Sequence, residues 1–265
     1  MSILFSAKDL SVTLGSAPVL QDVSFSVPDT APLVGVLGAN GSGKTTLLRC
    51  IAGLVPHKGH CILHGSPLQQ LSAKSLARRV SYIPQQSGIG ISLSVREVVL
   101  MGFNPRLGVL QAPSPAMHAA AEQALAQVGL AGFADRDYLT LSGGEQQLCI
   151  LARTLVQDAE LLLLDEPDSA LDLHNRVRML QTVSALVHSG GKVAFVCLHD
   201  PALALEFCDT LLLLRGGHLM AQLHPKTDPM PETEQLLAEV FGPVQLLRVT
   251  DSAGQPRLVL LPKTN

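Results

Sequence analysis

Nine consecutive residues, Gly38-Ala39-Asn40-Gly41-Ser42-Gly43-Lys44-Thr45-Thr46, constrain this chain more than any others. They match the phosphate-binding pattern G-x-x-x-x-G-K-[ST] at every fixed position. Leu33-Val34-Gly35-Val36-Leu37 just before them reads as a buried strand, and the residues from Thr46 to Ala52 can continue as a helix. The pattern thus sits in the strand-loop-helix context it needs. Gly38, Gly41 and Gly43 let the backbone take φ > 0 and approach a ligand closely. Their N–H groups and the positive end of the following helix form a concave anion site. Lys44 can reach β- and γ-phosphates, and the Thr45 hydroxyl can hold Mg2+. A chance glycine-rich turn is disfavoured because motif and context agree.

A second segment points to the same chemistry. Leu161-Leu162-Leu163-Leu164 is fully apolar, the mark of a parallel strand covered on both faces, and it ends in Asp165-Glu166-Pro167. Acids at the carboxyl end of such a strand stand where ligands bind. Asp165 would hold Mg2+, and Glu166 would orient and polarise an attacking water. Two solvated strand-end acids are the plain alternative, weakened by the phosphate loop upstream. The apolar run 193–198 ends at His199-Asp200, at the same end of the sheet, which suits His199 to a γ-phosphate contact. Pro84-Gln85-Gln86 follows the strand-like 80–83; from position alone Gln85 is equally a ligand sensor or a solvated loop residue. Leu141-Ser142-Gly143-Gly144-Glu145-Gln146-Gln147 opens a helix. Ser142 and Glu145 have capping-box spacing, and Gly143 and Gly144 expose N–H groups that could hold an anion; the plain cap is the favoured reading of this segment alone.

The rest of the chain supports a mixed α/β fold. Strand-like pieces at 3–7, 10–14 and 19–27, broken at Gly15-Ser16-Ala17-Pro18, suggest antiparallel N-terminal strands. Further strands are expected at 61–63 and 211–214. Helical texture runs from about 87 to 157, with a helix at 94–101 ended by Gly102 and another at 116–128. Asp172 suits the N-cap of a helix at about 173–188. A proline-bearing linker at 224–231 leads to a short helix at 233–241 and a hairpin, 244–250 with 257–261, turning at Asp251-Ser252-Ala253-Gly254-Gln255. The chain has 265 residues, 47% of them hydrophobic and 15% charged, so a large core is affordable; with 3% aromatics that core must be mainly aliphatic. A net charge of −3 gives no support to a nucleic-acid surface. No apolar run approaches the ~20 residues of a membrane span, and the start lacks a secretion signal. The five cysteines form no C-x-x-C pair and are expected as buried free thiols in a reducing cytosol. His57, His60 and His64 invite a metal reading, but a solvated strand edge, with His60 and His64 on one face, fits better.

The ordered set GANGSGKTT, IPQQ, LSGGEQQ, LLLLDEP, SALD and CLHD resembles the ATP-binding subunits of ABC transporters over about residues 3–222. LSGGE separates that family from other phosphate-loop proteins. The resemblance implies a phosphate-loop NTPase core with mixed sheet, N-terminal antiparallel strands and an inserted α-helical subdomain. It makes 1–222 the ATPase domain, with its helical subdomain at about 87–157, and 223–265 a C-terminal extension with a short helix and a β-hairpin. Gly38 to Thr46 corresponds to Walker A and Gln85 to the Q-loop glutamine, a catalytic and Mg2+ contact. Leu141 to Gln147 is the signature; Asp165 and Glu166 end Walker B; Ser169 to Asp172 is the D-loop and His199 the switch histidine. ATP and Mg2+ are implied, as is a head-to-tail homodimer with each ATP between one Walker A and the other chain's Ser142-Gly143-Gly144. Implied partners are transmembrane permease subunits, docking around 85–105, and indirectly a solute-binding protein, with no nucleic acid. The implied location is peripheral, on the cytoplasmic face of the inner membrane.

Three residues depart from the family pattern. Leu14 stands where an adenine-stacking aromatic is usual, Leu148 where Arg is frequent, and Asp168 where Thr or Ser is commoner. The phosphate and water machinery is intact, so hydrolysis is still expected. Met101-Gly102-Phe103-Asn104-Pro105-Arg106 and the tail Glu239-Val240-Phe241-Gly242 before a hairpin are similar to importers of iron–siderophores, haem and cobalamin. The alternatives are an importer of another substrate, such as molybdate, or a soluble non-transport ABC ATPase. The latter usually carries two cassettes or a long coiled-coil insert, and neither is present.

Overall fold

The computed structural model describes residues 2–85, 88–108, 110–251 and 254–263. Gln86, Ser87 at the expected start of the helical block, and Ser252-Ala253 of the hairpin turn lie outside the described residues. In chain order the elements begin with β1 (Ile3–Leu14), β2 (Ala17–Pro28), β3 (Leu33–Leu37), α1 (Lys44–Ile51), β4 (Lys58–Leu63) and β5 (Ser66–Pro67). Next come α2 (Ala73–Arg79), β6 (Val80–Ile83), α3 (Val95–Leu100), α4 (Pro115–Gln127), α5 (Gly143–Gln157), β7 (Leu161–Asp165) and α6 (Leu173–His188). The remainder is β8 (Val193–Cys197), α7 (Pro201–Phe207), β9 (Thr210–Arg215), β10 (His218–Leu223), α8 (Met230–Phe241), β11 (Val244–Thr250) and β12 (Pro256–Pro262). Gln70–Lys192 forms one compact unit, and the described residues on either side of it form the other.

In the two-segment unit, β1 pairs antiparallel with β2 and β4. The expected pieces 3–7 and 10–14 are one strand, kinked at Asp9, whose φ of 54° and bond from its N–H to Ser24 Oγ mark an irregularity in the ladder. Here β3 runs parallel between β8 and β9, and β10 returns antiparallel to β9. Every residue of β3 and β8 is buried, which is why both read as unbroken apolar runs. The core is aliphatic around one aromatic knot, Phe5, Phe25 and Phe195, with ring centroids 5.1 to 5.9 Å apart. The helix α7 was not expected; Asp200 caps it through two backbone N–H groups and Pro201 opens it, a signal present in the sequence. Helix α8 begins at Met230 rather than 233, because Pro231 sits in the first turn, where its missing N–H costs nothing. His64 lies beyond the end of β4 with φ 48°, so it does not share a strand face with His60. Among the described residues no group of three or more His, Cys, Asp or Glu could hold a metal ion.

In Gln70–Lys192, β6 and β7 pair in parallel and α3, α4 and α5 pack on one another. An unexpected helix, α2, precedes β6 with Ser72 as its cap. Gly102 does not stop α3 by freeing the backbone. The chain tightens into a 3-10 turn at Met101–Phe103, and a Cβ at Gly102 would collide with the Arg153 carbonyl. Gly102→Ala should therefore lower unfolding stability by about 1–3 kcal/mol, read from denaturant midpoints. No helix among the described residues is long and apolar enough to cross a membrane.

All five cysteines are buried, and none of them is in a disulfide. Burial pushes the Cys50, Cys61 and Cys149 thiols up to about 12. Since the thiolate is the reactive form, the native protein should resist a disulfide thiol reagent near pH 8 and release five equivalents after unfolding; fast native labelling would contradict the buried placement.

Candidate functional site

The loop after β3 is built as an anion cradle. Gly41 and Gly43 take φ of 77° and 105°, and Gly43 caps α1. Gly38 is needed for a different reason, space: a Cβ there would strike Ser42 Oγ and the Leu214 carbonyl. A Cβ at Gly43 would come within 2.7 Å of Leu20. Lys44 is only 5% exposed, and its Nζ donates to the carbonyls of Gly38 at 2.8 Å and Ala39 at 3.3 Å. The ammonium is thus wrapped inside the loop it charges. Ala39, Asn40 and Gly41 are exposed, and Thr45 and Thr46 half-buried, at the mouth. Ser42 Oγ is buried without a hydrogen-bond partner among the described residues. An orphan hydroxyl, a wrapped cation and glycine-only geometry at a helix N-terminus fit a phosphate chain. The Gly217 N–H donates to Ser42 O at 3.2 Å, so the turn between β9 and β10 braces the loop.

His199 lies at the same edge of this unit. The partners in the β3–β8 register include Val36 with Cys197, and Leu198 N–H donates to Val36 O at 3.3 Å. Two parallel neighbours therefore deliver the phosphate loop and the exposed His199 at their carboxyl ends.

In Gln70–Lys192 the same rule brings Gln85, Asp165 and Glu166 to one end of the β6–β7 pair, where Ile83 lies opposite Leu164. Gln85 Nε2 donates to Glu166 Oε2 at 2.7 Å, and Tyr82 Oη donates to Asp165 Oδ2 at 3.0 Å. Glu166 has φ 50°, a left-handed conformation uncommon for glutamate and a form of strain that gathers at functional sites. Tyr82 was not among the expected site residues; its separation of 83 positions from Asp165 hides the contact from local reading.

The Ser142 segment is both a cap and an exposed donor group. Ser142 N–H donates to Glu145 Oε2 at 2.7 Å, and Glu145 N–H donates to Ser142 Oγ at 3.3 Å. The Ser142 hydroxyl also donates to Glu145 Oε2, at 2.7 Å, and this bond, followed by that from the Ser142 N–H, holds the Glu145 carboxyl below the usual carboxylate range. The stabilisation is therefore present at neutral pH and lost as pH falls through that lowered value. Ser142 and Gly143 are exposed, while a Cβ at Gly144 would press to 3.1 Å from the Ala170 carbonyl. Of the family departures, Leu14 is exposed, and Leu148 and Asp168 are buried.

The ABC transporter family profile matches residues 20–169, spanning the phosphate loop, the Ser142 segment and the Asp165-Glu166 pair. The chain belongs to the ABC transporter family. Among relatives of this ABC protein, the hemin import ATP-binding protein HmuV of Bordetella pertussis is 40% identical over 245 residues, covering 89% of this chain and 91% of that one. The cobalamin import ATP-binding protein BtuD of Halobacterium salinarum is 37% identical over 225 residues, covering 84% of this chain but only 56% of that longer protein. A solved structure of an inward-facing metal-chelate type ABC transporter superposes with TM-score 0.81 at 25% identity, covering 99% of both chains. The mixed α/β fold is thus that of ABC ATPases.

Proposed function

We propose that this chain is the ATP-hydrolysing subunit of a membrane importer for metal chelates of the haem, cobalamin or iron–siderophore class. The observation that carries the ATPase part is the cradle around Lys44, with its orphan Ser42 hydroxyl, and His199 just past the end of the neighbouring strand. The import part rests on the hemin and cobalamin relatives. Residues 1–222 are assigned to the ATPase domain, about 87–157 to its helical subdomain and 223–265 to an extension.

In this reading Gly38 to Thr46 bind the triphosphate, with Lys44 countering charge on the β- and γ-phosphates. Thr45, Gln85 and Asp165 would hold magnesium, which would supply further neutralisation of the phosphate charge. Glu166 accepts a proton from the attacking water, and His199 contacts the γ-phosphate. Gly143 and Gly144 of a second copy offer N–H groups to the same nucleotide, and Ser142 a hydroxyl that would exchange its bond to Glu145 Oε2 for one to phosphate, so ATP joins two chains and its hydrolysis releases them. Permease subunits dock near 85–105 at the cytoplasmic face of the inner membrane and take cargo from a solute-binding protein.

The test is ATP turnover by the purified chain in liposomes containing a permease encoded beside it, with and without chelate-loaded binding protein. Stimulation by haem- or cobalamin-loaded protein is the expected result. Stimulation by a molybdate permease, or by nucleic acid in place of any permease, would overturn the cargo assignment or the transport assignment respectively.

A further inference from the structure

Asp165 is almost wholly buried at the last position of β7. Tyr82 stands on the parallel neighbour β6, opposite Leu163. Side chains two residues apart on a strand share a face, so Leu163 and Asp165 point the same way as Tyr82. One such step spans roughly 6–7 Å, about the reach of a tyrosine ring and hydroxyl. The phenol leans forward along the pair, and Oη donates to Asp165 Oδ2 at 3.0 Å.

We propose that Tyr82 is a positioning residue for magnesium. By holding Oδ2, it fixes the carboxylate plane of Asp165 in one orientation before the cation arrives, and the cation then binds a preorganised acid. The inference rests on the Mg-ATP reading given above. Its chemistry is confined to this chain: a neutral hydroxyl steering a carboxylate, with no proton transferred.

The composition supplies a direct readout. The chain has two tyrosines and no tryptophan, so subtracting the emission of Tyr82→Phe from that of the wild type isolates Tyr82. A phenol hydrogen-bonded to a carboxylate emits weakly. Asp165→Asn should therefore raise the Tyr82 emission. In ATPase titrations of the full chain, Tyr82→Phe should raise the Mg2+ concentration for half-maximal rate about tenfold, the worth of one hydrogen bond to a charged group, while the rate at saturating Mg2+ stays near that of the wild type. An unchanged Mg2+ midpoint in Tyr82→Phe overturns the proposal, and so does a lower saturating rate at an unchanged midpoint, which marks a merely structural tyrosine. An Asp165→Asn emission equal to that of the wild type also overturns it. A wild-type chain that neither binds nor hydrolyses Mg-ATP would instead sink the underlying reading.

Discussion

Glu166→Gln is expected to bind ATP with magnesium as tightly as the wild type, to hydrolyse it at least about a hundredfold more slowly, and to accumulate as a dimer. The geometry makes this a clean substitution. Gln85 Nε2 donates to Glu166 Oε2 at 2.7 Å, and the side-chain carbonyl of a glutamine can accept the same bond in place of that oxygen. The side-chain volume and the left-handed backbone at φ 50° are retained, so what changes is the capacity to take a proton from water. Single-turnover hydrolysis and size-exclusion chromatography with ATP measure the two consequences. Hydrolysis at the normal rate would remove Glu166 from the role of base, and a monomer under those conditions would remove the shared nucleotide.

Lys44→Ala should fail earlier, at binding. Its ammonium is buried and donates to two loop carbonyls, Gly38 O and Ala39 O. Alanine removes the charge that meets the phosphates and leaves those carbonyls without their donor. Each charge-assisted bond from the ammonium to a phosphate would be worth about 1.5–3 kcal/mol, so losing those to the β- and γ-phosphates should lower nucleotide affinity about a hundredfold or more. Calorimetric titration with ATP reads the loss, and an unchanged far-ultraviolet circular dichroism spectrum would separate it from unfolding. Near-normal affinity would mean that the glycine backbone and the helix end alone hold the nucleotide.

What could be read from the sequence, and what could not, follows from the range of the interactions involved. The strands β3, β7 and β8 announce themselves because each is buried on both faces and must be apolar throughout. The caps at Ser142 and Asp172 are local, since donor and acceptor lie three residues apart. The start of α8 is hidden because the prolines before it read as a linker, although proline in a first helical turn is harmless. The short helices α2 and α7 lack the length over which a 3.6-residue period becomes visible. The need for glycine at 38 and 102 comes from atoms brought close by folding, the Leu214 and Arg153 carbonyls. The Tyr82–Asp165 and Gln85–Glu166 contacts, across 83 and 81 positions, exist only once two strands lie side by side.

Gly217 shows how far the reach of the nucleotide loop extends. Its N–H holds the carbonyl of Ser42, and a methyl group on its α-carbon would sit 2.5 Å from the Val19 carbonyl. A random-mutagenesis screen for loss of ATP retention would therefore recover substitutions at Gly217, far along the chain from the loop it steadies.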